Sequence, residues 1–221
     1  MEIRLHHVDE SRSVRVLWLL EELEVDFELV SYDFFDKSLR TAEYLMLNPA
    51  GRVPALEIDG AVMCESGAMI EYLCELFPEA GLGRPPGDPE RMEWLDWLHY
   101  AETIGQHCAN LTQAHVVLYE PWMRSSTQMS LEARRLSKVL ERIELLLVDG
   151  REYLMETGFS GVDCAVGYGV DLARRFVRLD ELPGVAEYLE RLCARPAFQA
   201  AQPEADARRI YAQDFYEVPD A

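Results

Sequence analysis

The feature that most limits how this chain can fold is the broken segment PEAGLGRPPGDPE at residues 78–90. It contains four prolines and three glycines, which the interiors of helices and strands tolerate poorly. A segment of this composition is typical of a linker between domains. We therefore predict two domains, residues 1–77 and 89–221, joined by a linker at residues 78–88.

The first 77 residues alternate between strand and helix patterns. Residues 2–8 and 26–34 resemble strands, and residues 54–64 resemble a hairpin that turns at Asp59-Gly60. Three helices are predicted between these strands and after them, at residues 12–24, 41–49 and 65–77. The order β-α-β-α-β-β-α predicts a small α/β domain.

The chain beyond the linker is predicted to be entirely helical. A long helical stretch covers residues 89–118 and is opened by Asp88-Pro89, with proline in the first turn. A second helix, residues 130–148, is predicted to begin at the cap Ser130. Ser160-Gly-Val-Asp163 is a capping-box pattern that opens a third helix. Two shorter helices follow, at residues 183–194 and after Arg195-Pro196.

Charge and cysteine content narrow the function classes. The chain has 40 acidic and 21 basic residues, a formal net charge of −19, which disfavours nucleic acid and anionic membranes as partners. The five cysteines form no CxxC pair, which favours free thiols in a reducing compartment. The first residues, MEIRLHHVDESR, do not resemble a signal peptide, and no apolar run is long enough for a membrane span. We expect a cytoplasmic protein.

Three stretches carry a resemblance to a known family: SRSVRVLWLLEEL (11–23), NPAGRVPALEIDGAVMCESGAMIEYL (48–73) and FSGVDCAVGYGVDLA (159–173). Together they resemble the cytosolic glutathione transferases, in particular a bacterial-type subgroup with a serine at the active site. The resemblance implies a thioredoxin-like α/β N-terminal domain followed by an all-α C-terminal domain. It also implies glutathione as co-substrate, an electrophilic small molecule as acceptor, a role in detoxification, and a homodimer.

Val53-Pro54 is the centre of the most specific stretch. Proline holds the preceding residue in extended geometry and makes a cis bond far less costly than elsewhere, and we predict that this bond is cis. An extended Val53 can offer its backbone to a short peptide as an added strand. In the family, the residue before this cis-proline pairs with the cysteinyl part of glutathione. Arg52 is a candidate for the glycyl carboxylate, or else a solvated turn residue.

Glu65-Ser66 opens the next predicted helix. The start of a helix offers unpaired N–H donors and partial positive charge, which hold a carboxylate well. The resemblance assigns Ser66 to the γ-glutamyl carboxylate and Glu65 to the amino group of glutathione. An ordinary capping pair would look the same in the sequence.

The family places a Tyr, Ser or Cys between the first strand and first helix to stabilise the glutathione thiolate. Here the hydroxyls in that stretch are Ser11 and Ser13. Ser11 is placed where the N-cap is predicted, and we choose it as the catalytic residue. Ser13 and the backbone of Arg12 remain alternatives, and Ser11 can also be only a helix cap.

The charges beside this serine oppose each other. Asp9 and Glu10 are expected to raise the pKa of a nearby thiol, whereas Arg12 and Arg15 are expected to offset them. This leaves two rival functions open. One is glutathione-dependent reduction of disulfides or peroxides, although no cysteine is seen in the first turn. The other is a binding protein that keeps the fold without turnover.

The acceptor site is harder to predict. Tyr100, Ile104 and His107 are candidates to line it, with helical core or dimer surface as the alternative. His99, His107 and His115 recur every eight residues, a spacing that drifts around a helix instead of converging, so we predict no metal site.

Overall fold

The computed structural model describes residues 1–148 and 150–218. Residues 149 and 219–221, which belong to the predicted second domain, lie outside the described residues. The chain forms two compact units, one made of Met1–Pro85 with Ala194–Ile210 and the other of Pro86–Cys193 with Tyr211–Ala221. The predicted boundaries did not anticipate that residues 194–210 belong with the first unit.

The first unit is built on a four-stranded mixed sheet of β1 Ile3–His7, β2 Glu28–Ser31, β3 Ala55–Ile58 and β4 Ala61–Met63. The strand order is β2-β1-β3-β4. β1 runs parallel to β2 and antiparallel to β3, and β4 forms a hairpin with β3. The central strand β1 pairs its Leu5 with Leu29 on one side and Leu56 on the other.

Four helices complete this unit: α1 Val14–Glu22, α2 Ala42–Leu47, α3 Ser66–Leu76 and α8 Pro196–Ala200. α8 belongs here because it packs on α1. Trp18 meets Phe198 edge to face at 4.9 Å between ring centroids, and Arg195 forms an ion pair with Glu22 at 2.6 Å. The two faces of β1 are covered separately, since His6 contacts Tyr44 of α2 while His7 contacts the residue before α1.

The second unit contains the other helices: α4 Arg91–Thr112, α5 Ser126–Leu147, α6 Gly161–Ala173 and α7 Pro183–Cys193. α4 continues into a π-helical turn at Gln113–Val117. The sheet-based first unit and this helical unit confirm the predicted fold class, a thioredoxin-like α/β part and an all-α part.

Two helix starts differ from their predictions. α4 begins at Arg91, because the Asp88 side chain accepts a hydrogen bond from the Glu90 N–H and holds a turn before the helix. α5 begins at Ser126, because Ser125 caps it by accepting from the Gln128 N–H. The prediction that Ser130 is the cap is therefore wrong, and Ser130 lies inside the helix.

The predicted capping box at the start of α6 is confirmed. The Ser160 side chain and the Asp163 side chain each accept a hydrogen bond from the other residue's backbone N–H. Asp163 is fully buried and also accepts from the Leu154 N–H at 3.1 Å and the Tyr188 hydroxyl at 2.9 Å. Burial raises the pKa of this carboxyl to about 6. This residue ties the start of α6 to α7 and to the preceding loop.

Among the described residues, no helix combines the length and the apolar composition that crossing a membrane requires.

Candidate active site

The loop between β1 and α1 carries the two hydroxyls predicted to act on a thiol. Ser11 is half-buried, whereas Ser13 is fully buried. The prediction that Ser11 is the N-cap is wrong, because Ser13 takes that position and α1 begins at Val14. The Ser11 Oγ instead accepts a hydrogen bond from the Ser13 N–H at 3.3 Å. Of the two serines, only Ser11 has exposed surface.

A connected set of polar groups lies behind Ser11. The Ser13 Oγ is 2.8 Å from the Ser11 Oγ and 2.8 Å from the His7 Nδ1. The other ring nitrogen of His7, Nε2, is 3.1 Å from the Asp9 Oδ1. The Val8 N–H donates to the Ser13 Oγ at 3.1 Å and fixes this hydroxyl in place. Asp9, His7, Ser13 and Ser11 therefore form one unbroken chain of hydrogen-bonding groups.

His7 is not among the predicted site residues, although the strand pattern around it indicates a buried polar group. Alternate residues of a strand face the same side of the sheet, so His7 shares a face with Leu5. That face carries the apolar residues on which a helix packs. A histidine there, followed closely by an acidic residue and two serines, indicates a buried polar contact.

The two carboxylates expected to oppose a thiolate both have partners in this unit. The hydrogen bond with His7 holds the pKa of Asp9 below its ordinary value, and the charge of Arg209 acts in the same direction. The Glu10 Oε2 accepts from the Ile210 N–H at 2.6 Å. Their negative charge is therefore partly compensated before any ligand binds.

The loop before β3 is held in place by hydrogen bonds next to Val53. The Arg52 carbonyl accepts hydrogen bonds from the Tyr44 hydroxyl and the Asn48 Nδ2, each at 2.7 Å. The Val53–Pro54 bond is cis, as predicted. In the described ranges, no hydrogen bond joins the backbone N–H or C=O of Val53 to another residue. Val53 is half-buried and Arg52 is exposed, and the binding role of the Val53 backbone stays a prediction.

The start of α3 is where the sequence predicts a carboxylate site. Glu65 is its N-cap, with an exposed side chain that makes no capping hydrogen bond, and Ser66 is the first helical residue. No acidic residue lies in the first turn of the helix. The Ser66 side chain accepts a hydrogen bond from the Arg15 Nη1 at 3.3 Å. A guanidinium, a hydroxyl and the N–H groups of a helix start therefore meet at one place.

Arg15 is the second residue whose position in this region the sequence does not reveal. The sequence indicates only a charge that offsets Asp9 and Glu10, but Arg15 is fully buried in α1 and reaches α3. Because Ser11 lies one turn before Arg15 and Ser66 contacts Arg15, this side chain connects the two predicted halves of the site.

The predicted acceptor residues lie on α4. Ile104 is fully buried, and a Cβ added at Gly169 of α6 would approach its side chain to 2.9 Å. The Tyr100 hydroxyl donates to the Val139 carbonyl at 3.0 Å, and the His107 Nδ1 lies 2.8 Å from the Glu132 Oε2. All three thus make contacts within the helical unit, and their acceptor role stays a prediction.

The cysteine thiols and the possible metal ligands are the other groups that could carry out chemistry. The five cysteines are free, and burial raises the pKa of Cys64, the one adjacent to Glu65. Such a thiol is a poor nucleophile at neutral pH. Within the described part of the chain, no three His, Cys, Asp or Glu side chains are grouped as metal ligands would be.

Comparison of this sequence with those of known proteins finds similarity to glutathione transferases. The family described as glutathione S-transferase, N-terminal domain, matches residues 3–75. Glutathione S-transferase GstA of Escherichia coli O157:H7 is 28% identical, over 82% of this chain and 88% of that protein.

Solved structures give a similar result. A glutathione transferase from Methylococcus capsulatus is 30% identical with a TM-score of 0.77, covering 90% of this chain and 96% of that one. A sphingomonad glutathione S-transferase in complex with glutathione is 25% identical with a TM-score of 0.74, and the coverage is again 90% and 96%.

Proposed function

Because this chain belongs to the glutathione transferase family and takes glutathione as co-substrate, we propose that Ser11 stabilises the glutathione thiolate for attack on an electrophilic small molecule. Ser11 is the half-buried hydroxyl in the loop before α1, next to the fully buried Ser13. Its hydroxyl accepts from the Ser13 backbone and is close to the Ser13 Oγ, so its position is fixed. A positioned donor of this kind favours the charged form of a bound thiol.

The charges of the site match those of the tripeptide. We place the γ-glutamyl carboxylate at the start of α3, on Ser66 and the helix N–H groups, where the Arg15 guanidinium adds positive charge. Glu65, exposed at the N-cap, takes the amino group. The Val53 backbone pairs with the cysteinyl part, and the exposed Arg52 takes the glycyl carboxylate.

The observation that carries this assignment is the hydrogen bond from Arg15 to Ser66 at 3.3 Å. It lies where α1, the helix that follows Ser11, packs on α3, the helix that starts at Ser66. One short peptide can then reach a carboxylate site and a thiol site at once.

The chemistry required of Ser11 is modest. A free thiol has a pKa of about 8.5 and is only a few per cent ionised at neutral pH. Lowering that value by about two units takes roughly 2.7 kcal/mol of preferential stabilisation of the thiolate. A hydrogen bond to a charged group contributes about 1.5–3 kcal/mol, so one hydroxyl supplies much of what is needed.

Two other functions fit the site less well. Reduction of disulfides by glutathione would use a cysteine near the bound thiol, but the pKa of Cys64 is raised and Ser11 and Ser13 stand where the family can have cysteine. A binding protein without turnover would need no positioned hydroxyl. We therefore favour transfer of glutathione to a small electrophile, in the detoxification of such compounds in the cytoplasm.

The binding half of the proposal is tested by thermal unfolding. A ligand at about 100 times its dissociation constant stabilises the folded state by about 2.7 kcal/mol, which raises the melting temperature by several degrees. We expect this shift with glutathione for the wild type and a clearly smaller one for Ser66→Ala. Ser130→Ala, a substitution in α5, is the control and should keep the full shift. Equal shifts for Ser66→Ala and the wild type would contradict the assignment of Ser66.

We also propose a homodimer, as the family resemblance implies. Each unit presents large apolar side chains, such as Met46 and Met92, which are exposed over 88% and 83% of their surface. Light scattering should give twice the chain mass of 25.3 kDa. A mass equal to one chain at micromolar concentration would contradict the dimer.

A further inference from the structure

The chain of polar groups behind Ser11 ends on a carboxylate that solvent can reach. Its inner members are enclosed, since Ser13 has no exposed surface and the His7 side chain is 2% exposed. Its outer member, the Asp9 side chain, is 36% exposed. Asp9 also lines a cavity of about 200 Å³, together with Tyr32, Asp33 and Arg208. Enclosed groups, Ser13 and His7, therefore connect the half-buried Ser11 to a carboxylate that water reaches.

The Ser13 hydroxyl can donate to the Val8 carbonyl, 3.1 Å away, which leaves the chain, or it can donate along the chain. Two arrangements of the hydrogens keep the chain connected. When His7 carries its proton on Nε2 and donates to Asp9, its Nδ1 accepts from the Ser13 hydroxyl, and Ser11 donates to Ser13. When both ring nitrogens carry protons, Nδ1 donates to Ser13, Ser13 donates to Ser11, and the Ser11 hydroxyl points outward to a ligand. The second arrangement has one more proton than the first.

We propose that Asp9, His7 and Ser13 form a relay that receives the thiol proton of glutathione through Ser11. This inference rests on the proposed function, because it needs the glutathione thiol to lie against Ser11. Ser11 is the residue that touches the substrate, whereas Ser13, His7 and Asp9 act through it as positioning residues.

The step conserves every proton and involves no redox change. The S–H bond breaks and its proton goes to the Ser11 Oγ, which passes its own proton to the Ser13 Oγ. Ser13 passes its proton to the Nδ1 of His7, so that each serine remains a neutral hydroxyl. The products are a thiolate that accepts a hydrogen bond from Ser11 and an imidazolium held between Ser13 and Asp9.

Asp9 decides whether this transfer is favourable. Its carboxylate lies 3.1 Å from the Nε2 of His7, while the thiolate is separated from it by the imidazole and two hydroxyls. Because Coulomb energy falls with distance, Asp9 stabilises the imidazolium more than it repels the thiolate. Asp9 therefore promotes ionisation of the thiol, which is the opposite of the effect expected from its charge alone.

Other charged and titratable groups lie close to Asp9 and His7 and also influence the pKa of the bound thiol. The charge of Arg209 acts on Asp9, and Arg208, Asp33 and Tyr32 line the same cavity. Glu10 is the adjacent carboxylate, and it accepts from the Ile210 N–H. Glu10 therefore offers a matched control: a neighbouring negative charge outside the relay.

The test is the apparent pKa of glutathione bound to variants, read from the ultraviolet absorbance of its thiolate. Asp9→Asn keeps the size of the side chain and removes the charge that stabilises the imidazolium. We expect the apparent pKa of the bound thiol to rise by about one unit. Glu10→Gln removes an adjacent charge that only repels the thiolate, so its apparent pKa should stay the same or fall.

A lowered or unchanged pKa in Asp9→Asn would overturn the relay, and so would an equal rise in Glu10→Gln. Ser13→Ala, which breaks the chain between Ser11 and His7, should also raise the pKa, and an unchanged value there would likewise overturn it. Ser11→Ala separates the two proposals. If the pKa rises in Ser11→Ala but not in Asp9→Asn, only the relay fails. If Ser11→Ala has no effect either, the assignment of Ser11 fails with it.

Discussion

Ser11→Ala is expected to lower kcat for glutathione conjugation by about 30- to 150-fold, which corresponds to a lost hydrogen bond of about 2–3 kcal/mol to the thiolate. The KM for glutathione should change by less than about threefold, because the tripeptide is held by other groups. Those groups are Val53, Glu65 and Ser66. Steady-state kinetics with a general electrophile measure both constants.

Two controls belong with this measurement. Ser130→Ala removes a serine hydroxyl from the helical unit and should leave both constants at their wild-type values. Ser66→Ala should raise KM for glutathione and change kcat less, because it removes a partner of the carboxylate and not of the sulfur. If Ser11→Ala kept the wild-type kcat, the hydroxyl of Ser11 would not be the group that activates the thiol.

The largest effect on stability is expected from Asp163→Ala. The Asp163 carboxylate accepts from the N–H groups of Leu154 and Ser160 and from the Tyr188 hydroxyl, and all of these residues are fully buried. Removing it takes the acceptor from these three buried donors, at about 1–3 kcal/mol each, and from the Ser160 hydroxyl, which donates to it at 3.4 Å. We expect a loss of about 4 kcal/mol in the free energy of unfolding, a large part of the roughly 5–15 kcal/mol typical of folded proteins.

Unfolding in urea, followed by circular dichroism, measures this loss. Tyr188→Phe provides the matched comparison, because it removes one donor and leaves none unsatisfied. It should cost only about 1 kcal/mol. A loss for Asp163→Ala no greater than that for Tyr188→Phe would show that the capping box contributes little beyond one hydrogen bond.

Local patterns predicted most of the elements because the interactions that define them are close in sequence. The capping box joins Ser160 to Asp163, three positions later, and the structure contains both of the hydrogen bonds that its sequence pattern predicts. The predicted start of α5 was wrong because the sequence near it contains two possible cap residues. Ser125 and Ser130 are equally good cap residues, and only the hydrogen bond from the Gln128 N–H to Ser125 separates them.

The site was less predictable because its contacts join distant parts of the chain. Arg15 resembles a surface residue of a helix until Ser66, 51 positions later, is brought beside it. His7 and Ser13 each look like ordinary residues of a strand and a cap, and only folding places the hydroxyl 2.8 Å from the ring. Residues 194–210 belong to the first unit, where Phe198 packs against Trp18. This contact also joins residues that are far apart in the sequence.

The central claim is that this protein ionises the thiol of bound glutathione, and a pH titration of the wild-type complex tests it most directly. The thiolate absorbance of bound glutathione should titrate about two units below the value of about 8.5 for a free thiol. S-methyl glutathione, which has no ionisable thiol, should bind and give no such change. A bound thiol that titrates at the value of the free thiol would contradict the account.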